Sequence, residues 1–503
     1  MALAVRRELV AELLRGPMAL AAAGVVANGF NLVMNLVLAR ALDTRGYGAV
    51  VVQTNIFMVL SVVGNAILTA VVHRELAQSG ETRRDRRYWI RQLRGLTRLA
   101  ILLASVVAIA VCKPVALLLS YPHPFAIAEA AIAAAIWVNV CVERGLLQAR
   151  GNYPGLARNV VFESGFRIAC VVVLVSAGLG VNGAGLALAI GVLVGGEHAR
   201  WVVARTAPLA RRPVRARRGE GDEGDEGDEG VMPITTATGP IPMVPVAAAP
   251  QRTRDSLIAE SSVALATLVP LALLQNVDVV IVGWRNPDGV GGYAAISTAC
   301  KVPVFIGLAV ANYLLAEAAR RRREGQPAGQ ALAMALGVVV APGLFLAAIG
   351  AVAGRQILSL VFGPELATAA PALWVLAFAM TCLSVTLLFA TYLLGAGYRK
   401  IIWVLAGCTP LTAVVLALAD GEIMRTAAMG LACQAFTAVV AGALVVRLHS
   451  HLAPDRSAAG ARTRVPGRAA AEPDEAAVRG GAALQAGAVE RAGGPDAAFS
   501  QAG

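Results

Sequence analysis

Uncharged runs of about twenty residues recur along the chain, and they constrain its fold more than any other feature. The first runs from Pro17 to Ala39 and reads PMALAAAGVVANGFNLVMNLVLA, without a charged side chain. A helix of about 20 apolar residues crosses a bilayer core of roughly 30 Å. Hydrophobic residues make up 57% of the 503 residues and charged residues only 15%, which is typical of integral membrane proteins. The sequence therefore predicts an all-α, multi-pass membrane protein.

Twelve transmembrane helices are predicted, six on each side of a charged central segment. Every second connection is rich in arginine, whereas the others are short and poor in charge, so the positive-inside rule predicts both termini in the cytoplasm. The same rule explains the net charge of +12 without nucleic acid as a partner. The predicted spans lie near 17–38, 49–72, 96–119, 125–147, 156–178, 181–204, 257–284, 291–316, 328–354, 370–393, 400–419 and 425–447.

The spans divide the chain into four predicted regions. A six-helix lobe occupies 1–205 and a second occupies 256–447. Between them, 206–255 contains GEGDEGDEGDEG and a stretch rich in proline and threonine. The tail at 448–503 is rich in Ala, Gly, Pro and Arg. Compositions of this kind are typical of disordered segments, here a cytoplasmic linker and a cytoplasmic tail.

The two lobes are predicted to be parallel repeats. Gly46-Tyr47 follows the first span, and Gly292-Tyr293 lies at the start of the eighth. The two tyrosines are 246 residues apart (293 − 47), and the Leu-Leu-X-Ala sequences that end at Ala149 and Ala396 are 247 apart (396 − 149). Both repeats begin on the same side of the membrane. This arrangement predicts two MATE-like lobes around a central cavity, related by an axis along the membrane normal.

Amide side chains form a polar patch on the first helix of each half. Asn28, Asn31 and Asn35 have i, i+3, i+7 spacing, which places them on one face of a helix. Gln275 and Asn276 form the corresponding patch in the second half. Amides are costly to expose to lipid tails, so they are predicted to line a substrate cavity or to form interhelical hydrogen bonds.

Each of these helices also contains a residue that weakens helices. Gly24 lies in the first span, and Pro270, which is 246 residues further on, lies in the seventh. Matching helix breakers in two repeats point to hinges beside a transport site, although an ordinary proline kink gives the same pattern.

Ionisable residues inside the spans are candidates for function. Arg167 lies near the middle of span five, and Glu163 precedes it by four residues, a favourable spacing for an ion pair. Lys301 and Asp278 lie at comparable depths in spans eight and seven, so a contact between them is sterically reasonable. Both pairs either hold helices together or form an anion site whose carboxylates respond to H⁺ or Na⁺. Three other charged residues lie nearer the membrane surfaces and are expected to snorkel: Lys113, Glu129 and Glu143.

Several activities are excluded by missing motifs. None of the three lysines follows a glycine, so there is no Walker A loop for ATP. There is no HExxH sequence and no CxxC pair, so no catalytic residue, metal site or cofactor is predicted.

Four segments resemble the polysaccharide-transporter (O-antigen flippase) family of the multidrug/oligosaccharidyl-lipid/polysaccharide (MOP) superfamily. They are NLVLARALDTRGYG, VDVVIVGWRNPDGVGGYAA, ILSLVFGPELATAAPALWVLAF and LLGAGYRK. The shared motifs include Arg40, Gly46 and Tyr47 after span one, Gly292 and Tyr293 at the seven–eight hairpin, and a Phe-Gly-Pro-Glu sequence before span ten. The resemblance covers 15–447 but not the acidic linker or the tail.

The resemblance implies a flippase in the plasma membrane that moves a polyprenyl-diphosphate-linked oligosaccharide between leaflets by alternating access. Arg167 and Lys301 would attract the diphosphate, and the amide patches would bind sugar hydroxyls. Glu163 or Asp278 would couple transport to an ion. The implied partners are the lipid-linked oligosaccharide, membrane lipid, a polysaccharide polymerase and glycosyltransferases.

Four alternatives remain open at this stage. Within the superfamily they are a drug/cation antiporter and a peptidoglycan-precursor flippase. A membrane-embedded glycosyltransferase or polymerase would be an enzyme, but it is expected to have a larger outer loop. A membrane scaffold would act through its linker and tail.

Overall fold

The computed structural model describes residues 17–77, 83–206, 254–323 and 329–452, and these residues form α-helices joined by short connections. Most of the predicted linker and tail therefore lies outside the described residues. The helices of the first half are α1 (Pro17–Ala41), α2 (Thr44–Ala77), α3 (Arg83–Leu118), α4 (Pro124–Ala149), α5 (Tyr153–Leu174) and α6 (Gly180–Arg205). Those of the second half are α7 (Arg254–Arg285), α8 (Val290–Cys300), α9 (Val302–Arg323), α10 (Gly329–Val361), α11 (Leu373–Gly395), α12 (Ile401–Ala417) and α13 (Ile423–Leu452).

Nine helical segments of the described chain are long and apolar enough to cross a membrane, or ten if α8 and α9 together form one span. One of the nine is the 53-residue run Tyr153–Arg205, far longer than the roughly 20 residues that one crossing needs. A π-helical segment with positive φ angles at Gly178 (85°) and Gly180 (53°) separates α5 from α6 within this run. A multi-pass membrane protein is therefore confirmed, whereas the number twelve stays a prediction.

The two halves repeat one packing pattern. In the first half α1 packs on α5, and α4 packs against both α2 and α3. In the second half α7 packs on α12, and α11 packs against both α9 and α10. The order of helices along the chain is the same in both patterns, as expected for parallel repeats. Helix α6 also packs on α4 and α5, and α13 shows no equivalent packing among the described residues, so the division into two six-helix lobes stays a prediction.

Glycine allows the central helices of the first lobe to approach closely. A Cβ atom at Gly145 of α4 would lie 3.1 Å from the backbone oxygen of Leu68 and from the Cβ atom of Val71, both in α2. Close contact of this kind is how membrane helices associate, since lipid tails are as apolar as leucine.

Four connections lie at the same end of the helices: α1–α2, α3–α4, α5–α6 and α7–α8. Residues from all four line one cleft, which places them together in space. We call this end the hairpin side and the opposite end the basic side, because the arginine-rich connections lie there.

Candidate functional site

Buried charged side chains meet inside the first lobe, where α1, α4 and α5 come together. Glu163 and Arg167 of α5 are 3% and 7% exposed. Their ion pair, predicted from the spacing, is present, with 3.1 Å between Oε1 of Glu163 and Nη1 of Arg167. Arg167 Nη2 also donates a hydrogen bond to Asn31 Oδ1 of α1 at 2.6 Å. Arg144 of α4 lies on the other side of Glu163, with 3.3 Å between Nη2 and Oε2.

The same cluster extends to α6 through amide and imidazole groups. Arg144 Nε donates to Asn159 Oδ1 at 2.7 Å. Asn159 Nδ2 in turn donates to the backbone oxygen of Gly195 at 2.8 Å and lies 3.1 Å from His198 Nδ1. Gly195 is required here because a Cβ atom at this position would lie 2.9 Å from Glu163 Cβ. The N-lobe cluster consists of Asn31, Arg144, Asn159, Glu163, Arg167 and His198.

The N-lobe cluster contains two arginines and one glutamate, so it has a surplus of one positive charge when His198 is neutral. A buried charge without a counter-ion is costly, and an anion that entered the cluster would remove that cost. Arg144 was not among the predicted site residues, although it falls within the predicted span 125–147. Helix α4 continues to Ala149 and buries Arg144 inside its last turns.

A second polar cluster surrounds Lys301, at the junction of α8 and α9 where the chain bends by 41°. Lys301 Nζ donates to Asn276 Oδ1 at 3.0 Å and to Asn55 Oδ1 of α2 at 2.7 Å. Asp278 Oδ2 accepts a hydrogen bond from the Tyr293 hydroxyl at 3.0 Å. The suggested contact between Lys301 and Asp278 is therefore not formed. Two amide oxygens bind the ammonium group of Lys301, and the phenol of Tyr293 binds the carboxylate of Asp278. The Lys301 cluster consists of Asn55, Asn276, Asp278, Tyr293 and Lys301.

Asn55 and Lys301 occupy equivalent positions of the two repeats. They are 246 residues apart (301 − 55), the same separation as Tyr47 and Tyr293. Two equivalent residues of a two-fold repeat can touch only close to the axis that relates them. Lys301 follows Val290, the first residue of α8, by 11 positions, which is about 16 Å along a helix. The Asn55–Lys301 bond therefore lies near the repeat axis and about halfway through a 30 Å membrane core.

The motif residues that indicated the family meet between the lobes on the hairpin side. Arg40 Nη2 donates to the backbone oxygen of Leu360 at 2.8 Å. The Tyr47 ring packs on Phe362 of the Phe-Gly-Pro-Glu motif, with 6.4 Å between ring centroids. These contacts join residues more than 300 positions apart. In the sequence Arg40 is only a family-motif residue after span one, and the structure shows that it joins the two lobes.

Glycines bring the same two lobes into direct backbone contact. A Cβ atom at Gly291 of α8 would collide with the backbone oxygen of Thr44 in α2. An exposed ion pair between Arg45 and Asp288 lies beside this contact. We call the contacts of Arg40, Thr44, Arg45, Tyr47 and Gly48 with Asp288, Gly291, Leu360 and Phe362 the hairpin seam.

A leucine at Gly291 should force the hairpin seam apart. In Gly291→Leu we expect Cys300, which is fully buried beside Lys301, to react at least tenfold faster with a membrane-impermeant thiol reagent. Peptide mass spectrometry measures labelling at each cysteine separately. Gly337→Leu is the matched control, because a side chain there meets open space. Equal Cys300 labelling in both variants would show that the seam does not restrict access.

A cleft of about 710 Å³ opens at the hairpin side. It lies between the four hairpins, and its polar residues include Asp43, Arg45, His123, Asn182 and Asp288. Of the predicted cavity residues, none lines this cleft. The residues that line the cleft are thus different from those of the two polar clusters.

The remaining predicted residues lie around these clusters. Asn28 and Gln275 are partly exposed, and Asn35 Nδ2 donates to the backbone oxygen of Asn31 at 2.8 Å. Helix α1 runs through Gly24, and α7 runs through Pro270, so both proposed hinges lie inside continuous helices and their role stays a prediction.

The expectation for Glu143 was wrong. Its side chain is fully buried and accepts two hydrogen bonds of 2.6 Å from Arg94, because α3 extends far enough to present this arginine. Glu129 accepts a hydrogen bond from Gln53 at 3.1 Å, and Lys113 is exposed.

Residues 13–219 match the family model described as polysaccharide biosynthesis protein. No curated protein is significantly similar to the chain. Its fold is similar to that of a multidrug resistance MATE family transporter of the MOP superfamily in an inward-facing conformation, with a TM-score of 0.57, 14% identity, and coverage of 87% of this chain and 99% of that one. It is also similar to the lipid II flippase MurJ in an inward closed conformation, with a TM-score of 0.61, 9% identity, and coverage of 85% and 87%. The predicted resemblance is confirmed: residues 13–219 match the polysaccharide biosynthesis family model, and the described chain has the fold of the MATE transporter of the MOP superfamily and of MurJ.

Proposed function

We propose that the protein is a flippase that moves a polyprenyl-diphosphate-linked oligosaccharide across the plasma membrane, with both termini in the cytoplasm. The observation that carries this proposal is the positive surplus of the N-lobe cluster. A diphosphate cannot cross hydrocarbon unshielded, because the cost of burying an ionised group is prohibitive. A lobe that already holds an unbalanced arginine within its membrane-spanning helices lowers that cost for an anion.

The two clusters have different roles in this proposal. Arg167 and Arg144 attract the diphosphate, and Lys301 receives it near the repeat axis. Asn31 and Asn276 bind these cations in the absence of substrate, and Asn28, Asn35 and Gln275 offer further amides for sugar hydroxyls. Arginine suits the first role because its planar donors match phosphate oxygens.

The carboxylates supply the coupling to an ion. Glu163 lies between two arginines, so an anionic substrate competes with this carboxylate for them. Binding of H⁺ or Na⁺ at Glu163 would release the arginines for the diphosphate. Asp278, which accepts a hydrogen bond from Tyr293, is the second candidate for ion binding. The direction of coupling follows from this competition: ion binding and substrate binding favour each other.

Alternating access requires the hairpin seam to open. The described state has the lobes joined at that side through the Gly291–Thr44 contact and the Tyr47–Phe362 pair, and deeper in the protein through the Asn55–Lys301 bond. A diphosphate bound at Lys301 takes the ammonium away from Asn55 and so removes the deepest of these links. Substrate occupancy is thereby coupled to separation of the lobes.

Deletion of the gene in the source organism tests the function. We expect loss of a surface polysaccharide and accumulation of its lipid-linked precursor on the cytoplasmic side. Wild-type protein should restore export, whereas an Arg144→Gln/Arg167→Gln double variant should restore less than a tenth of it, because no buried cation of the N-lobe cluster remains. Normal surface polysaccharide in the deletion strain would contradict the proposal.

The same strain discriminates between the proposed flippase and a drug/cation antiporter. A surplus of positive charge repels organic cations, so we expect unchanged resistance to cationic drugs. Drug sensitivity with intact polysaccharide would favour the antiporter instead. Glycosyltransferases and a polymerase encoded beside the gene would supply and consume the proposed substrate.

A further inference from the structure

Seven arginines lie within the first 16 residues of α3, between Arg83 and Arg98. In the sequence they form one undivided basic stretch, which the positive-inside rule accounts for as a topology signal. The structure divides six of them between two faces of the helix, which have different environments. The first face has Arg86 and Arg94, and the second has Arg84, Arg87, Arg91 and Arg98.

The first face packs on the lobe, and its arginines are already paired. Arg94 binds Glu143 through two hydrogen bonds of 2.6 Å, and Arg86 forms an ion pair with the buried Glu75. Trp89 and Ile90 lie between these two arginines in a small hydrophobic core with α2, α4 and α6. These arginines therefore fix α3 to the lobe and are not free to bind a partner.

The second face is exposed and carries only positive charge. Arg84, Arg87, Arg91 and Arg98 have i, i+3, i+7, i+14 spacing, which places them within an arc of about 60° on an α-helix of 3.6 residues per turn. None of the four forms an ion pair with another residue in the described part of the chain. We call these four residues the α3 arginine face.

The length of α3 places this face at the membrane surface. The helix has 36 residues, and about 20 of them span a core of roughly 30 Å, which leaves about 16 residues outside it. The stretch Leu99–Leu118 is apolar except for Lys113 near its far end, so Arg98 lies at the edge of the core and Arg91 about 10 Å beyond it. The same side of the helix continues into the core as Leu99 and Leu102, which are 52% and 61% exposed and face lipid tails.

We propose that the α3 arginine face binds anionic phospholipid headgroups. Acyl chains would lie along Leu99 and Leu102, and the phosphates of the same lipids would meet Arg98 and Arg91. Guanidinium groups bind phosphate oxygens through paired hydrogen bonds, and each basic residue at an anionic surface increases lipid binding about fivefold. The site is independent of the cargo that the lobes transport.

Lipid retention by the full-length protein tests this site. The protein is reconstituted into nanodiscs of equal parts phosphatidylglycerol and phosphatidylcholine, extracted gently, and its bound lipids are counted by native mass spectrometry. We expect phosphatidylglycerol to be enriched on the wild type. Arg91→Gln/Arg98→Gln should lower the enrichment at least tenfold, and Arg91→Lys/Arg98→Lys should retain much of it.

The distance of each arginine from the membrane provides a second test of the lipid site. Arg84 lies about 21 Å from the edge of the core, beyond the headgroups by more than a Debye length of about 8–10 Å. Arg84→Gln/Arg87→Gln should therefore have a smaller effect than the Arg91/Arg98 pair. A larger effect of the Arg84/Arg87 pair would overturn the proposal, because headgroups bound at Arg91 and Arg98 cannot depend most on the arginines that lie farthest from the membrane.

Two controls make a negative result informative. Lys113→Gln removes an exposed charge at the other end of α3 and should leave the enrichment unchanged. All variants should unfold at the wild-type temperature in pure phosphatidylcholine, because the replaced side chains are exposed. Unchanged phosphatidylglycerol enrichment in a folded Arg91→Gln/Arg98→Gln protein would overturn the proposal. The four arginines would then serve only to set the orientation of α3 in the membrane.

Discussion

Replacing Glu163 with glutamine is expected to destabilise the N-terminal lobe by about 3–5 kcal/mol, because it leaves two buried arginines without a counter-ion. Arg144 and Arg167 both lie within 3.3 Å of this carboxylate, and each is about 7% exposed. Thermal unfolding in nanodiscs measures the change, with a thiol-reactive dye reporting exposure of the buried Cys141. The loss should exceed that of any substitution at an exposed ion pair of the same lobe.

A second substitution should recover part of this stability. In Glu163→Gln/Arg144→Gln one cation has been removed together with the carboxylate, so we expect the double variant to be more stable than Glu163→Gln alone. Glu197→Gln is the matched control, since Glu197 pairs with Arg200 at the surface of α6 and exposed pairs contribute at most about 1 kcal/mol. If Glu163→Gln unfolded like the control, the charge balance derived for the N-lobe cluster would be wrong.

Exchanging Asn55 and Lys301 should preserve function far better than either single substitution. Lys301→Asn removes the ammonium proposed to receive the diphosphate, and we expect at least a tenfold loss of transport. Asn55→Lys places two ammonium groups at one contact, which should separate α2 from α8 and reduce transport similarly. The double variant Asn55→Lys/Lys301→Asn restores one lysine and one asparagine across the repeat axis, so a substantial part of transport should return.

Recovery in the exchanged protein should be incomplete for a structural reason. Lys301 also binds Asn276, whereas the position 246 residues before Asn276 is Phe30. The exchanged lysine therefore has one amide partner fewer. Surface polysaccharide in a complemented deletion strain measures the outcome, with protein abundance as the normalisation. A double variant no better than Lys301→Asn would argue against a contact on the repeat axis.

Contacts within one helix were predictable from spacing. Glu163 and Arg167 are four residues apart, and an α-helix places such residues on the same face whatever surrounds it. The same periodicity puts Asn28, Asn31 and Asn35 on one face of α1. Span lengths and alternating arginine content likewise indicated a multi-pass helical protein, because the thickness of the membrane sets the length of its helices.

Contacts between helices were not predictable in this way. Arg144 lies near the end of the predicted span 125–147, and only packing of α4 against α5 and α6 shows that it is buried. Asn55 lies in an otherwise ordinary span, and nothing near it in the sequence indicates a lysine partner. The repeat offset was the available signal, because applying 246 to Lys301 points to Asn55.

The sequence by itself determined the membrane class, the helices and their repetition, since these depend on local hydrophobicity and on periodic spacing along one chain. The tertiary structure decided which charges are paired, which arginines of α3 remain free, and how the motifs of the two halves form the hairpin seam. Those outcomes depend on which helix faces which. Many arrangements of apolar helices bury similar area in lipid, and only close packing and the need to satisfy buried polar groups select among them.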